Sequence, residues 1–397
     1  MTTSLPSSVD VAIVGAGPAG LATALSLIKQ RPDFADRLVV IERASFPREK
    51  ICAGGLGARA DRVLASIDAT VDVPSVPVHA LCVSLSAGKR TARSEQPIGR
   101  VVRRSEFDHA LASTARAKGI RIVEGARVHG LRRDADRSIV ECSLGEFRTR
   151  VVVGADGVGS VVRRALGLPG TILHAQAVEV DTDPCDRDEP RDVLVFESLN
   201  RKLTGYTWDF PTLVQGEEKV CRGAYVLQLG TTAPDAGEAL NDHLRARDLA
   251  PREYRHRRFA ERGYVRSLRY ARPGWLLVGE AAGIDSVTGE GIPQALMYGE
   301  LAGRYLAECF EARDLRFENW SDRVASTFFG WDLRVREQLA SMFYGRDRPW
   351  LERLLIERPW FLQAGIEYFA GRRIPRAWLG QVGLFGLRLW VGAQLSR

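Results

Sequence analysis

Short unbroken apolar runs and longer stretches of helical period alternate along this chain. Four runs read as buried strands: Val11-Ala12-Ile13-Val14, Val39-Val40-Ile41, Val151-Val152-Val153 and Trp275-Leu276-Leu277-Val278. Continuous apolarity of this kind suits a parallel sheet covered on both faces. A helical pattern follows the first run from Pro18, and another spans Pro293–Leu306. Between 171 and 264 the pattern becomes strand-like at Asp192–Glu197, Leu203–Phe210 and Lys219–Leu229, with a helix-like segment near Ala236–Leu249. Residues 311–397 read mainly helical. These patterns predict an α/β protein. A Rossmann-like domain is assembled from residues 9–70, 100–170 and 265–310. Residues 71–99 and 171–264 form an inserted antiparallel β-sheet domain, and 311–397 form a helical C-terminal region.

At 397 residues the chain can bury a large core in two joined domains. Its 45% hydrophobic and 26% charged content is that of a globular protein. The net charge of +7 rests on arginine, since only six of 56 basic residues are lysine. Genome composition accounts for that bias. Attraction to anionic membranes or acidic substrates is the functional reading, and no nucleic-acid partner is expected. Cys52, Cys82, Cys142, Cys185, Cys221 and Cys309 are scattered, with neither a CxxC pair nor metal-ligand spacing. A reduced compartment and no metal site are therefore expected. The polar residues before the first strand do not read as a signal peptide, so the expected location is cytoplasmic.

The first strand runs into Gly15-Ala16-Gly17-Pro18-Ala19-Gly20, and the second ends at Glu42, twenty-two residues after Gly20. In this arrangement the first glycine permits a tight turn and the second lets the backbone approach a pyrophosphate. The third lets helix and strand pack closely, and the acid accepts from ribose hydroxyls. The helix N-terminus adds free N–H groups and a positive dipole end. Strand, turn, helix and acid together imply dinucleotide binding.

Two later segments bear on which dinucleotide. Val151-Val-Val-Gly-Ala-Asp156-Gly157 and Leu277-Val-Gly279-Glu280 each lead an apolar strand into a turn of small residues. They resemble the Asp-Gly and Gly-Asp motifs of FAD-dependent monooxygenases and their relatives. Arg104-x-x-Phe107-Asp108 and Gly125-Ala126-Arg127-Val128 match the same superfamily in order. The resemblance, which covers residues 10 to about 310, implies a GR2-type FAD-binding domain. It places Arg43, Cys52, Ala53, Gly54, Arg104, Val128, Asp156, Gly157 and Gly279 at the cofactor. Asp156 would touch the ribityl–pyrophosphate region or hold its loop. Glu280 stands where the superfamily carries Asp. Gly289-Glu290-Gly291-Ile292 would set backbone N–H groups under the flavin, where negative charge develops on reduction.

Two further segments resemble the geranylgeranyl reductase family. Lys50-Ile-Cys52-Ala53-Gly54-Gly55-Leu56 is similar to its Lys-x-Cys-x-Gly-Gly-Leu segment, and Tyr206-Thr-Trp208-Asp-Phe210-Pro211 to its Tyr-x-Trp-x-Phe-Pro. Where the family continues into Gly-x-Gly, this chain has Val220-Cys221-Arg222, with a glycine displaced to Gly223. On a strand, Tyr206, Trp208 and Phe210 share a face. That face either lines an apolar substrate cavity or belongs to a plain core, and Pro211 is expected to end or edge the strand. Cys52 is open to three readings: inert packing, a flavin or substrate contact, or direct participation in catalysis, with positive surroundings lowering its pKa.

The resemblance implies reduction of C=C bonds of an isoprenoid lipid by hydride from flavin N5. The alternative is a monooxygenase hydroxylating an aromatic or polyketide metabolite with NAD(P)H and O₂. A halogenase is a third option, but no lysine sits in a matching motif. A non-catalytic flavin-binding module would bind FAD without turnover. No second GxGxxG in a strand–helix setting is present, so NAD(P)H or reduced ferredoxin is expected as a transient donor. The histidines show no active-site constellation, and most read as surface or cap residues. Toward the C-terminus, Trp350, Trp360, Trp378 and Trp390 lie among arginines. Peripheral membrane contact, ordinary helical packing and a span over 377–396 are the alternatives there; four glycines and Arg388 argue against the span.

Overall fold

The computed structural model describes residues 4–170, 174–228 and 234–372. Its first sheet runs in the order Ala271–Arg272, Trp275–Leu277, Gly145–Gly154, Ser8–Val14, Leu38–Ile41, Arg121–Val123. The apolar runs occupy its parallel centre, with Val11 facing Val151 on one side and Leu38 on the other. Val128–Asp134 and Arg137–Cys142 extend Gly145–Gly154 as an antiparallel meander. The Pro18–Gln30 helix follows the first strand, and the Ile292–Glu311 helix lies against it. Their backbones meet because Gly299 has no side chain: a Cβ there would come within 2.4 Å of the Ala19 carbonyl oxygen.

The second sheet has seven strands, in the order Arg257–Arg262, His174–Thr182, Glu217–Gln228, Gly205–Val214, Val193–Ser198, Ala80–Leu85, Gly88–Arg93. It corrects the expectation of a wholly antiparallel insert. Val193–Ser198 pairs parallel with Ala80–Leu85, and this seam joins both insertions into one sheet. Parallel pairing is possible because a long crossover separates the two strands. Ser75–Val78 instead joins Gly55–Gly57 and Gly99–Val102 in a small third sheet.

Of the two expectations for Pro211, the structure has the edge. Pro211 does not end its strand, which continues to Val214 and keeps Pro211 opposite Val220. Pairing on the other side stops at Asp209 opposite Val195. The missing N–H therefore falls where the strand is already an edge.

Beyond Glu311 the described chain is helical through Phe328–Phe343, Arg348–Glu357 and Pro359–Phe369. Leu355, Leu362 and Ile366 share a buried cluster with Trp208 and Phe210, so these helices pack over the second sheet. Among the described residues no helix is long and apolar enough to cross a membrane. Trp378, Trp390 and the 377–396 stretch lie outside the described residues.

Candidate functional site

The glycine turn has three distinct steric environments. A Cβ on Gly15 (φ +104°) would lie 2.4 Å from the Ala155 carbonyl oxygen. One on Gly20 would lie 2.0 Å from the Gly15 carbonyl oxygen. One on Gly17 would meet only the Arg48 guanidinium, at 3.9 Å. The space above Gly17 is thus open at a helix N-terminus, with Pro18 in the first turn. Glu42 is buried, and its Oε2 accepts from the Ala16 N–H at 2.9 Å. Its Oε1 accepts from the Ala44 N–H at 3.1 Å. Ala126 N–H donates to the Glu42 carbonyl, bringing the segment before Val128 alongside. Arg43 is exposed.

Arg104 makes a bidentate pair with buried Asp108, both bonds 2.8 Å. Burial works against its charge, but Asp108 outweighs burial and raises its pKa. Arg48 bridges the same groups, 3.1 Å from Asp108 and 3.6 Å from Glu42. Sequence reasoning passed over Arg48, whose role comes from its position over Gly17.

Asp156 turns toward its own loop. It accepts from the Ser160 hydroxyl at 2.5 Å and from the Val161 N–H at 2.6 Å, capping the Val161–Ala165 helix. Glu280 Oε2 lies 3.6 Å from where a Gly157 Cβ would sit, and Glu280 Oε1 is buried with no hydrogen-bond partner among the described residues. Gly279 (φ +60°) packs against Ala19, which draws this turn to the glycine loop. The open space over Gly17, the orphaned Glu280 oxygen and a second free helix N-terminus at Ile292 together fit a bound dinucleotide.

Next to these loops lies a cavity of about 350 Å³. Cys52, Ala53, Gly54, Gly289, Gly291 and Ile292 line one part of it. Tyr206, Trp208 and Phe210 line another, in a ring cluster with Phe196 and Tyr225; Pro211 does not reach it. Two glycines seat the rings. A Cβ on Gly223 would lie 2.1 Å from the Trp208 indole, and one on Gly55 would lie 2.9 Å from the Phe210 ring. The displaced glycine is therefore the indole's socket.

The backbone beneath the cavity is pinned from several sides. The hydroxyls of Tyr225, Tyr344 and Tyr206 donate to the carbonyls of Ser286, Val287 and Thr288, at 3.1, 2.5 and 2.5 Å. Arg336 pairs with Asp285 at 2.5 Å, Asp332 at 3.0 Å and Glu290 at 3.4 Å. Glu290 also pairs with Arg59.

For Cys52 the expected lowering of the pKa is corrected. Burial pushes its thiol above the ordinary range, and the charge of Arg104 only partly opposes this. It is a neutral thiol, whose Sγ accepts from the Gly54 N–H at 3.4 Å, and not an activated thiolate. His243 is the exception among the histidines. It is buried under the second sheet, 2.9 Å from Asp209 and 3.2 Å from Glu197. Burial disfavours its charged form, but these two carboxylates prevail and raise its pKa. Asp209 alternates with the aromatic positions and so points to the opposite face.

These features define a dinucleotide-binding protein, and the comparisons identify the dinucleotide as FAD. The chain belongs to the FAD binding domain family, whose model matches residues 8–289. It is an FAD-dependent oxidoreductase related to named reductases. It is 30% identical to a menaquinone reductase of Mycobacterium tuberculosis, over 85% of this chain and 84% of that one. It is 28% identical to digeranylgeranylglycerophospholipid reductase 1 of Methanopyrus kandleri, over 80% and 88%. The fold matches the crystal structure of a geranylgeranyl bacteriochlorophyll reductase-like protein of Thermoplasma acidophilum. That match has a TM-score of 0.68 at 21% identity, covering 84% of this chain and 88% of that one.

Proposed function

We propose that this chain reduces C=C bonds in the isoprenoid chain of a lipid. The observation that carries the reading is the aromatic wall beside the glycine loops. The hydroxyls of Tyr206, Tyr225 and Tyr344 are spent on backbone carbonyls. The rings of the first two, with Trp208 and Phe210, are left as an apolar surface for a chain without polar groups.

In this reading Gly15 to Gly20, with Pro18 and Ala19 in the first turn of the helix, hold the pyrophosphate. Glu42 holds the ribose, Val128 lies by the adenine, and Arg104, Gly157 and Glu280 flank the ribityl and phosphate groups. When bound and reduced, FAD supplies a hydride from N5. Gly289, Gly291 and Ile292 offer backbone N–H groups at a helix N-terminus to the ring edge that gains negative charge. Ala53, Gly54 and the neutral Cys52 would line the cavity beside the ring and leave its face open to the alkene. An unactivated alkene develops little charge early, so holding it at the flavin in a dry cavity is the chain's main contribution. Electrons come from NAD(P)H or reduced ferredoxin docking transiently, and contact with a membrane surface would deliver the substrate.

The test is anaerobic. The holoprotein is reduced with dithionite and given a geranylgeranyl lipid, and flavin reoxidation is followed with product mass. Reoxidation with a gain of about two mass units per bond is expected. A flavin that stays reduced until O₂ is admitted would overturn the reading in favour of hydroxylation.

A further inference from the structure

We infer that Glu261 is the acid that supplies the proton when the double bond is reduced. The inference rests on the alkene-reduction reading above, which leaves the second hydrogen without a source. Glu261 lies on the Arg257–Arg262 strand at the edge of the second sheet. Phe259 and Glu261 are two residues apart, share a face, and both line the cavity. A Cβ built on Gly289 would come within 2.6 Å of Glu261 Oε2, so the carboxyl lies against the glycine segment assigned to the flavin. That oxygen is sealed from solvent and has no hydrogen-bond partner among the described residues.

An ionised carboxylate with an unpartnered buried oxygen is costly. Burial accordingly pushes the Glu261 acid well above the usual carboxylate range, and the charge of Glu280 pushes it further. Asp285 and Glu179 act in the same direction, and Lys50 opposes them. Burial raises the pKa of Tyr206, Tyr225 and Cys52, and a charge on Glu261 would raise each further. Glu179 differs: burial brings it to about 7, but it lies 3.3 Å from Arg257 and accepts from the Cys221 thiol. Glu261 has no such partner, and it is placed where the apolar cavity meets the flavin loop.

The step balances. The π bond breaks, one carbon takes a hydride from the reduced flavin, and the other takes the proton of the Glu261 carboxyl. The flavin is oxidised by two electrons, two C–H bonds form, and Glu261 is left as a carboxylate, reprotonated by water admitted when the product leaves. Lys50 is the cation that can steady that carboxylate between turnovers.

The experiment compares wild-type holoprotein with Glu261→Gln and Glu261→Asp. Each is titrated for FAD affinity and flavin potential, examined by infrared spectroscopy, then reduced and mixed anaerobically with geranylgeraniol. In wild type we expect a protonated-carboxyl band in the absence of substrate, lost in Glu261→Gln. Reoxidation should slow about a hundredfold in Glu261→Gln, with FAD retained and the potential unchanged, and recover in part in Glu261→Asp. The wild-type rate should fall as pH rises through the elevated Glu261 pKa, and that limb should vanish in Glu261→Gln. A Glu261→Gln protein as fast as wild type overturns the inference. So does one that sheds FAD or shifts its potential enough to explain the slowing, which would make Glu261 a cofactor contact. If wild type itself is not reoxidised, the reduction reading falls and takes this role with it.

Discussion

Single residues set the tolerances of the site. Adding one methyl at Gly223 places it inside the Trp208 ring, since the built Cβ lies 2.1 Å from the indole. Gly223→Ala should therefore displace the indole and slow substrate turnover while FAD stays bound. Flavin content and reoxidation rate measured on one sample check both halves. On the opposite face, His243 and Asp209 give stability an opposite pH dependence at each end. The His243 pKa is raised in the fold, so its contribution is full below the unfolded value of about 6.5 and fades as pH rises through the folded one. The Asp209 pKa is lowered, chiefly by His243 and the nearby arginines against the pull of burial. Its contribution is present above about 3.9 and is lost in strong acid. Melting temperatures of wild type and His243→Gln across pH should converge on the alkaline side.

The residues legible in the sequence were those whose constraint is local. Gly15, Gly17, Gly20 and Glu42 are readable because strand, turn and acid must follow one another closely for the geometry to close. Arg48 and Glu261 take up their roles, and His243 its burial, through segments distant in the chain. An acid two positions after Phe259, on the apolar side of a strand, was the one available signal for Glu261.

At the scale of elements, the flavin loop is held by its neighbours more than by itself. Strands contribute Tyr206 and Tyr225, and the helical region contributes Tyr344 and Arg336. Removing Arg336 leaves Asp285, Glu290 and Asp332 buried without that counter-charge. Arg336→Met should cost about 3–5 kcal/mol in urea unfolding and weaken FAD binding. Tyr344→Phe should cost only about 0.5–1.5 kcal/mol, felt as faster flavin release. The elements themselves followed from apolar periodicity, but the clamp did not. Nothing in the period of a helix records which loop it will lie against.

At the scale of the molecule, the second sheet, the loops that carry Cys52 and Gly289, and the C-terminal helices enclose a cavity that none of them could enclose alone. FAD bound to the folded state and not to the unfolded chain should raise stability by about 2.7 kcal/mol at a hundredfold excess over Kd. Thermal melts with increasing FAD measure this directly. The parallel seam has a consequence for synthesis. Ala80–Leu85 leaves the ribosome more than a hundred residues before its partner Val193–Ser198. At about 5–20 residues per second that is a wait of roughly 5–20 seconds. Until then its one ladder among the described residues is the hairpin with Gly88–Arg93. That companion carries Lys89, Arg90 and Arg93, charges that discourage a stray strand from adding to it. The half-built wall of the cavity is thus shielded on one flank by charge and left open on the other for the one strand that will complete it.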